Sequence, residues 1–194
     1  MQKNTLFLVI GVIIIVLVAV LFTLYQGARP LENSANITAG VAQSPVNESS
    51  ISDWKAVPLR DVSTSSIFTV RDLAGKPVLL FPFTTWCSIC TAQQNEIKRL
   101  QVMSPGSFNA VGIDIDPYEN EDVVRKHQSD NRYYGMYAIA PPEMTNELTN
   151  EFGMDIITPA SAPVLLICSN GTVIRFDRGI KSAEVLAQAI RIRC

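Results

Sequence analysis

The sequence predicts an α/β domain in which a mixed central sheet lies between two layers of helices, a three-layer α/β/α sandwich. The apolar runs at 78–81 and 164–168 are continuous rather than alternating, which is typical of strands buried on both faces. Segments with helical spacing separate most of the strands, and that alternation indicates an α/β fold. The pair Asn170-Gly171 between two apolar runs predicts a β-hairpin, which makes the sheet mixed. We find no internal repeat.

The first half of the domain contains three predicted strands and one long helix. Residues 57–62 and 66–71 are predicted to form a leading pair of strands. A Gly-Lys-Pro turn at 75–77 then starts the apolar strand at 78–81. Residues 88–103 have apolar positions at helical spacing, and the Pro-Gly pair that follows ends this helix.

The second half alternates between strand and helix signals. The predicted order is strand 109–115, helix 119–129, strand 134–140, helix 143–152, strand 164–168 and strand 172–176. Gly153 follows the 143–152 helix as a C-cap. Ser182 can cap a final helix. The apolar face predicted for that helix consists of Val185, Leu186, Ala189 and Ile190.

The composition excludes several classes of protein. The chain has 194 residues and a formal net charge of −2 at pH 7. It has no basic stripe or Lys/Arg cluster, so nucleic acid is not expected as a partner. Four cysteines are too few for a scaffold built from disulfides.

The beginning of the sequence predicts a membrane anchor. Residues 6–25 are apolar apart from Gly11, Thr23 and Tyr25. Twenty helical residues extend roughly 30 Å, the thickness of a bilayer's hydrocarbon core. The alternative is a cleaved signal peptide, but its apolar core would be shorter, about 7–15 residues, and small residues would mark the cleavage site. We therefore predict an uncleaved transmembrane signal-anchor at residues 1–26.

A flexible linker is predicted between the anchor and the domain. Residues 27–53 are dominated by Ser, Asn, Ala, Gly and Pro, a composition that does not bury enough apolar surface to fold. Two Asn-x-Ser/Thr triplets, at 36–38 and 47–49, favour an extracytoplasmic location, although such triplets also arise by chance. Residues 54–194 remain as one domain of ordinary size. The predicted localisation is the cell membrane, with this domain on the extracytoplasmic side.

The stretch TTWCSICTAQ, residues 84–93, carries the strongest functional signal. It connects a predicted strand to a predicted helix at the carboxyl edge of the sheet, where functional residues collect in α/β proteins. Cys87 lies at the helix N-terminus, where free peptide N–H groups stabilise a thiolate. Cys90 lies one turn later. The pair is predicted to form a reversible dithiol/disulfide with an exposed attacking Cys87 and a more buried resolving Cys90.

Two other interpretations of the cysteine pair have less support. Structural zinc needs four ligands, whereas Cys168 and Cys194 are distant in sequence and His127 is the only histidine. A purely structural disulfide across so short a ring would gain little loop entropy.

These features resemble the thioredoxin superfamily, in particular its membrane-tethered TlpA/ResA-like branch of thiol–disulfide oxidoreductases. Over residues 57–194 the resemblance has four parts: the lead-in DLAGKP at 72–77, the WCSIC motif at 86–90, Ala162-Pro163 before a strand, and the Asn-Gly hairpin with a terminal helix. The resemblance implies a thioredoxin-like fold. It also implies a cis-proline at Pro163 that faces the cysteines, and a substrate groove formed by Trp86, Ala162 and Pro163. Trp86 is expected to cover the pair, or to pack in the core.

The sequence departs from that family at the positions of its acidic residues. Phe81 stands where thioredoxins bury an acid, and Gln93 stands where ResA-like reductases carry a glutamate; Glu96 lies one turn further on. The dipeptide between the cysteines, Ser-Ile, contains neither proline nor a cation. No proton acceptor for Cys90 is therefore identified from the sequence.

Two related families are weighed as alternatives. Sco-type copper chaperones share the anchor, a cysteine pair and an Asp-Pro after the middle strand, similar to residues 114–117, but they need a histidine where residues 158–162 read TPASA. A two-thiolate site could still take Cu(I). Peroxiredoxins share a threonine at the position of Thr84, but need an arginine at Ala162 and a proline at Leu80.

The remaining candidate residues are interpreted as structural. Cys168 is expected to be a small buried apolar residue and Cys194 to be free, with a bridge between them as the alternative. Asp114 and Asp116 could suggest a carboxylate site, but they are expected to cap the loop at a strand end, and His127 is expected to be a solvated helix residue.

The predicted function is therefore membrane-tethered thiol–disulfide exchange through Cys87 and Cys90. No cofactor beyond this redox disulfide is expected. The expected partners are protein thiols and disulfides, with a transmembrane dithiol protein as a candidate electron donor. A Sco-like copper chaperone that uses the same two thiols is the alternative.

Overall fold

The computed structural model describes residues 16–20, 22 and 53–194. The chain divides into two units, Met1–Val46 and Asn47–Cys194. In the first unit, the described residues are helical and exposed. No helix within the described residues is both long and apolar enough to span a bilayer. The predicted anchor and linker lie mostly outside the described residues and stay predictions.

Within residues 53–194, the described part of the second unit, there are seven strands and four α-helices. The strands are β1 Leu59–Arg60, β2 Ile67–Phe68, β3 Val78–Phe83, β4 Asn109–Asp114, β5 Met136–Ile139, β6 Leu165–Ile167 and β7 Val173–Arg175. The helices are α1 Ser88–Met103, α2 Glu121–Asn131, α3 Pro142–Phe152 and α4 Ala183–Arg193. Short 3-10 helices include Met154–Ile157 and Pro159–Ser161, which connect α3 to β6.

The main sheet is mixed, with the strand order β5-β4-β3-β6-β7. Strands β3, β4 and β5 pair in parallel, whereas β6 pairs antiparallel with both β3 and β7. The leading strands β1 and β2 form a separate antiparallel pair. Strand β3, which leads to the cysteines, is the central strand, and all its residues are buried.

Two apolar cores cover the two faces of the sheet. One face of the strands packs with apolar residues of α1, α2 and α4, among them Leu100, Val124 and Leu186. The other face packs with Trp54, with the β1–β2 hairpin and with Met144 and Leu148 of α3. Because consecutive residues of β3 alternate between the two cores, the strand is apolar throughout. The predicted α/β class with a mixed, two-sided sheet is confirmed.

Local predictions agree with the structure in most elements. Helix α1 has the predicted bounds, and Gly153 caps α3 with its N–H bonded to the Thr149 carbonyl at 2.8 Å. The predicted apolar face of α4 is wrong in part. Val185 is 47 % exposed, and Ala183 is buried with Leu186 instead.

Cys168 and Cys194 form a disulfide. The expectation of an inert Cys168 and a free Cys194 is therefore wrong, and the alternative holds. Cys168 lies directly after β6, and Cys194 follows the last turn of α4. Because α4 packs on the core that contains Cys168, the end of this helix reaches the end of the strand. The two bridged cysteines are 26 residues apart in the sequence.

Candidate active site

Cys87 and Cys90 lie together at the start of α1. Cys87 is the N-cap residue, with extended backbone angles of φ −82° and ψ 107°. Its Sγ accepts a hydrogen bond from the Cys90 peptide N–H at 3.2 Å. The first sulfur therefore satisfies one of the free N–H groups at the helix N-terminus, an arrangement that stabilises negative charge on sulfur. Both cysteines are free thiols.

The second thiol lies in a different environment. Cys90 is 2 % exposed, and its Sγ donates to the Pro159 carbonyl at 3.4 Å. Burial raises the pKa of the Cys90 thiol to about 12, and its hydrogen bond with Cys87 adds to this increase. Cys90 is therefore protonated at neutral pH, next to a sulfur that accepts a hydrogen bond.

Cys87 is less accessible than predicted. Its exposure is 7 %, which makes it buried, although it is less buried than Cys90. The expectation of an exposed attacking thiol is wrong in degree, because the sulfur turns inward to the Cys90 N–H rather than outward to solvent. The residues on either side are open, with Trp86 68 % exposed and Ile89 39 % exposed.

Carboxylates from the loop after β4 hold the chain that leads to Cys87. Glu119 accepts from the Thr85 peptide N–H at 3.0 Å through Oε2, and from the Thr85 hydroxyl through Oε1. Asp116 Oδ2 accepts from Trp86 Nε1 at 2.7 Å. Trp86 is therefore an exposed ring anchored at its edge, and the alternative of a core aromatic is wrong. Sequence reasoning did not assign Glu119 a role, because its partner is 34 residues away.

Asp114 supplies a buried acid that sequence reasoning treated only as a loop cap. The capping role is confirmed, since Asp114 Oδ1 accepts from the Asp116 N–H at 3.1 Å. The side chain is also 0 % exposed, and Oδ2 has no hydrogen-bond partner among the described residues. Burial, together with the neighbouring Glu119 and Asp116, raises the pKa of Asp114 to about 8. Asp114 pairs in register with Phe83, so it lies on the same sheet face as α1 and the cysteines.

We expect Asp114→Asn to weaken the pH dependence of stability. Between the unfolded pKa near 3.9 and the folded pKa of about 8, native Asp114 keeps a proton that the unfolded chain has lost. The free energy of unfolding of the wild type should therefore fall as pH rises through this window, at up to about 1.4 kcal/mol per pH unit for this one proton. In Asp114→Asn, denaturant titrations at pH 5 and pH 8.5 should show a smaller fall.

The exposed Glu143 of α3 provides the control for this measurement. Glu143→Gln should keep the wild-type slope, because this side chain is on the surface. His127, whose pKa is lowered by burial, titrates in all three proteins and so cancels in the comparison. An unchanged slope in Asp114→Asn would contradict the assignment of the buried proton.

Ala162 and Pro163 follow the short helix whose Pro159 carbonyl is bonded to Cys90, but they do not have the predicted form. No peptide bond among the described residues is cis, so the prediction of a cis-proline at Pro163 is wrong. Ala162 instead has left-handed angles, φ 47° and ψ 58°, which turn the chain from the Pro159–Ser161 helix into β6. Ala162 is 2 % exposed and Pro163 is also buried.

Both peptide groups of Ala162 are bonded within the chain. Its N–H donates to the Pro159 carbonyl at 2.9 Å, and its carbonyl accepts from the Lys181 ammonium. Lys181 is 7 % exposed, and burial lowers its pKa to about 8. In this conformation the Ala162 N–H is already bonded, and its carbonyl already accepts one hydrogen bond, which reduces what this residue offers to a substrate strand. Substrate binding by Trp86, Ala162 and Pro163 stays a prediction.

The polar residues of α1 below Cys90 serve the fold. The Gln93 side chain accepts from the Lys181 N–H at 2.7 Å and donates to the Lys181 carbonyl at 3.1 Å. Glu96 accepts from the Ala183 N–H at 2.8 Å. Both residues fix the start of α4 against α1. His127 is half-buried and stacks on Phe83 with ring centroids 5.6 Å apart, so the expectation of a solvated helix residue is wrong.

Within the described part of the chain, no group of three or more His, Cys, Asp or Glu residues could hold a metal ion. Among the residues that the structure describes, the free thiols of Cys87 and Cys90 are the candidate ligands for the copper-chaperone alternative. No histidine completes such a site, because His127 is bonded to Gln94 Oε1 at 3.3 Å and stacked on Phe83.

Comparisons with known proteins identify the fold. No protein-family model matches the chain, and no curated protein matches it. Among solved structures, a thioredoxin-family thiol:disulfide interchange protein from Chlorobium tepidum is 20 % identical, with a TM-score of 0.58 over 70 % of this chain and 91 % of that one. A secreted Mycobacterium tuberculosis disulfide oxidoreductase homologous to E. coli DsbE is 16 % identical, with a TM-score of 0.54 over 71 % and 96 %. StoA from Bacillus subtilis is 17 % identical, with a TM-score of 0.52 over 68 % and 93 %.

The first two of these neighbours are described as a thiol:disulfide interchange protein and a disulfide oxidoreductase. At such low identity the similarity establishes architecture. Residues 53–194, with their mixed five-stranded sheet and a cysteine pair at the N-terminus of α1, have a thioredoxin-like fold.

Proposed function

We propose that this protein is a membrane-tethered thiol–disulfide oxidoreductase, which exchanges electrons with cysteine pairs of extracytoplasmic proteins through Cys87 and Cys90. The observation that carries the proposal is the asymmetry of the two thiols. Cys87 Sγ accepts a hydrogen bond at a helix N-terminus, whereas Cys90 is a buried, protonated donor. Thiol–disulfide exchange needs one sulfur that attacks first and a second that resolves.

The exchange balances in two steps. The Cys87 thiolate attacks one sulfur of a substrate disulfide, and a mixed disulfide forms as the other substrate sulfur leaves and takes up a proton. Cys90 then loses its proton and attacks Cys87 Sγ, which releases the second substrate thiol. The substrate disulfide gains two electrons and two protons, and the Cys87–Cys90 dithiol becomes a disulfide. The same steps in reverse oxidise a substrate dithiol.

Two features support a location outside the cytoplasm. The apolar segment at residues 6–25 has the length of a membrane span, and the sequence places the folded domain after it. The Cys168–Cys194 bridge, which is separate from the active-site pair, suits an oxidising compartment. The electrons must then come from another dithiol or go to another disulfide, and a transmembrane dithiol protein is the partner we propose.

The proposal is tested by poising the full-length protein in redox buffers and counting alkylated thiols by mass spectrometry. We expect Cys87 and Cys90 to titrate together as a two-electron couple, at a potential between about −270 mV and about −120 mV. We also expect the reduced protein to reduce insulin. Tight, stoichiometric uptake of Cu(I) by the reduced protein, without any insulin reduction, would refute exchange and favour the copper-chaperone alternative.

A further inference from the structure

A cleft at the carboxyl edge of the sheet adjoins the segment that carries the cysteines. It lies between the loops that follow β4 and β5 and has a cavity volume of about 480 Å³. Its lining is mainly apolar and includes Ile115, Pro117, Ile139, Pro141, Thr145 and Ile157. This volume lies within the range of about 300–1,000 Å³ that is typical of pockets for small ligands.

Hydrogen bonds connect the walls of this cleft to the cysteine segment. Asp116 and Glu119 line the cleft, and they hold Trp86 and Thr85, the two residues before Cys87. Ile157, on the opposite wall, ends the 3-10 helix two residues before Pro159, whose carbonyl accepts from the Cys90 thiol. When a substrate polypeptide is joined to Cys87 by a mixed disulfide, the residues next to the substrate cysteine can therefore reach this cleft.

The charge at the cleft is negative. Trp86 Nε1, with which Asp116 is hydrogen-bonded, is uncharged, and that bond keeps the pKa of Asp116 below its usual range. Glu119 is likewise bonded to the uncharged Thr85. Among the described residues, no lysine or arginine forms an ion pair with either carboxylate. The nearby His127 is kept neutral by burial, which lowers its pKa.

We propose that this cleft binds an apolar side chain of the substrate polypeptide, from a segment in which that residue has a lysine or arginine beside it and a cysteine of the exchanged pair close by. The inference rests on the proposed thiol–disulfide exchange and adds a substrate class to it. The apolar walls take the side chain, and the carboxylates at the rim attract the cation. The lining of the cleft does not include Ala162 or Pro163.

The test uses three synthetic peptides with the same intramolecular disulfide and one varied flank. The flanks are Leu-Arg, Ala-Arg and Leu-Glu, and kcat/KM for reduction is measured with the full-length protein. Wild type should prefer Leu-Arg over Ala-Arg by about 10-fold or more, because filling an apolar pocket discriminates to that extent. It should prefer Leu-Arg over Leu-Glu by about 2–5-fold, with a preference that declines as salt is added.

Two matched variants on α3 locate the effect. Thr145→Phe fills the cleft with a ring, and should reduce the Leu-to-Ala preference to near 1. Asn146→Phe adds the same ring to the adjacent, exposed position outside the cleft lining, and should keep the wild-type preference. Equal rates for Leu-Arg and Ala-Arg in the wild type, or an unchanged preference in Thr145→Phe, would overturn the proposal.

Exchange with dithiothreitol distinguishes a failure of the proposed cleft from a failure of thiol–disulfide exchange itself. All three proteins should react with this small dithiol at the same rate, because it does not need the cleft. If the wild type does not react with dithiothreitol, thiol–disulfide exchange itself is refuted, and the proposed substrate class is refuted as well. If the wild type reacts, shows no peptide preference and dimerises in a manner that Thr145→Phe abolishes, the cleft is an interface between copies of this chain instead.

Discussion

Cys87→Ser is expected to abolish disulfide exchange, with a loss of at least about 1,000-fold in insulin reduction, because a hydroxyl does not replace the attacking thiolate. The change should leave the fold intact, since serine is itself a preferred N-cap residue and can accept the Cys90 N–H in place of sulfur. Circular dichroism and the midpoint of denaturation verify this. Residual wild-type turnover in Cys87→Ser would contradict the role of Cys87.

Cys90→Ser is the matched variant, and it should fail in a different way. Its Cys87 still attacks, but the mixed disulfide is not resolved, so a covalent complex with the substrate accumulates and turnover stops after one event. Non-reducing electrophoresis detects this complex, and Cys87→Ser should form none. If Cys87→Ser formed the stable complex and Cys90→Ser did not, the two roles would be reversed.

Removing the Cys168–Cys194 bridge should produce the largest loss of stability. The bridge closes 26 residues, and a loop of that length stabilises the native state by about 3–4 kcal/mol through the unfolded chain. We expect the double variant Cys168→Ala/Cys194→Ala to lose this amount in the free energy of unfolding. Denaturant titration of the full-length protein measures the loss, and the slope of the transition verifies that it stays cooperative.

The control for that measurement lies in the active site. Cys87→Ser/Cys90→Ser should change the free energy of unfolding by much less, because these two cysteines are free thiols and close no long loop. Thiol counting gives an independent readout. The protein with its Cys87–Cys90 pair in the dithiol form should show two reactive cysteines after denaturation without further reductant, and four after full reduction. Four free thiols without reductant would contradict the bridge.

The sequence predicted those features of the fold that depend on neighbouring residues. The continuous apolar residues of β3 indicated a strand buried on both faces, and the two cores confirm it. The bounds of α1 followed from local signals. Apolar residues recur at helical spacing after Cys87, and a Pro-Gly pair after Ser104 ends the helix. Cys87 and Cys90 were found for the same reason, since a single helical turn connects them.

The features that sequence reasoning missed depend on contacts between distant residues. The exposure of Cys87 depends on the direction in which its sulfur points. That direction follows from the hydrogen bond to the Cys90 N–H in the folded protein. Asp114 was interpreted as a cap because its burial arises from the register of β4 against β3. Ala162 was expected to precede a cis bond, whereas a left-handed turn, together with a lysine 19 residues away, directs the chain into β6. The disulfide needed the packing of α4 on the sheet.

Asp114, the buried carboxyl whose pKa is raised, lies on β4 and not on the strand that leads to the cysteines, where Phe81 takes the corresponding place. The group that titrates in the interior and the group that exchanges electrons therefore belong to separate stretches of chain. An engineer who wished to retune the buried acid would replace Asp114 alone, because Asp116 and Glu119 of the same loop are bonded to the two residues before Cys87.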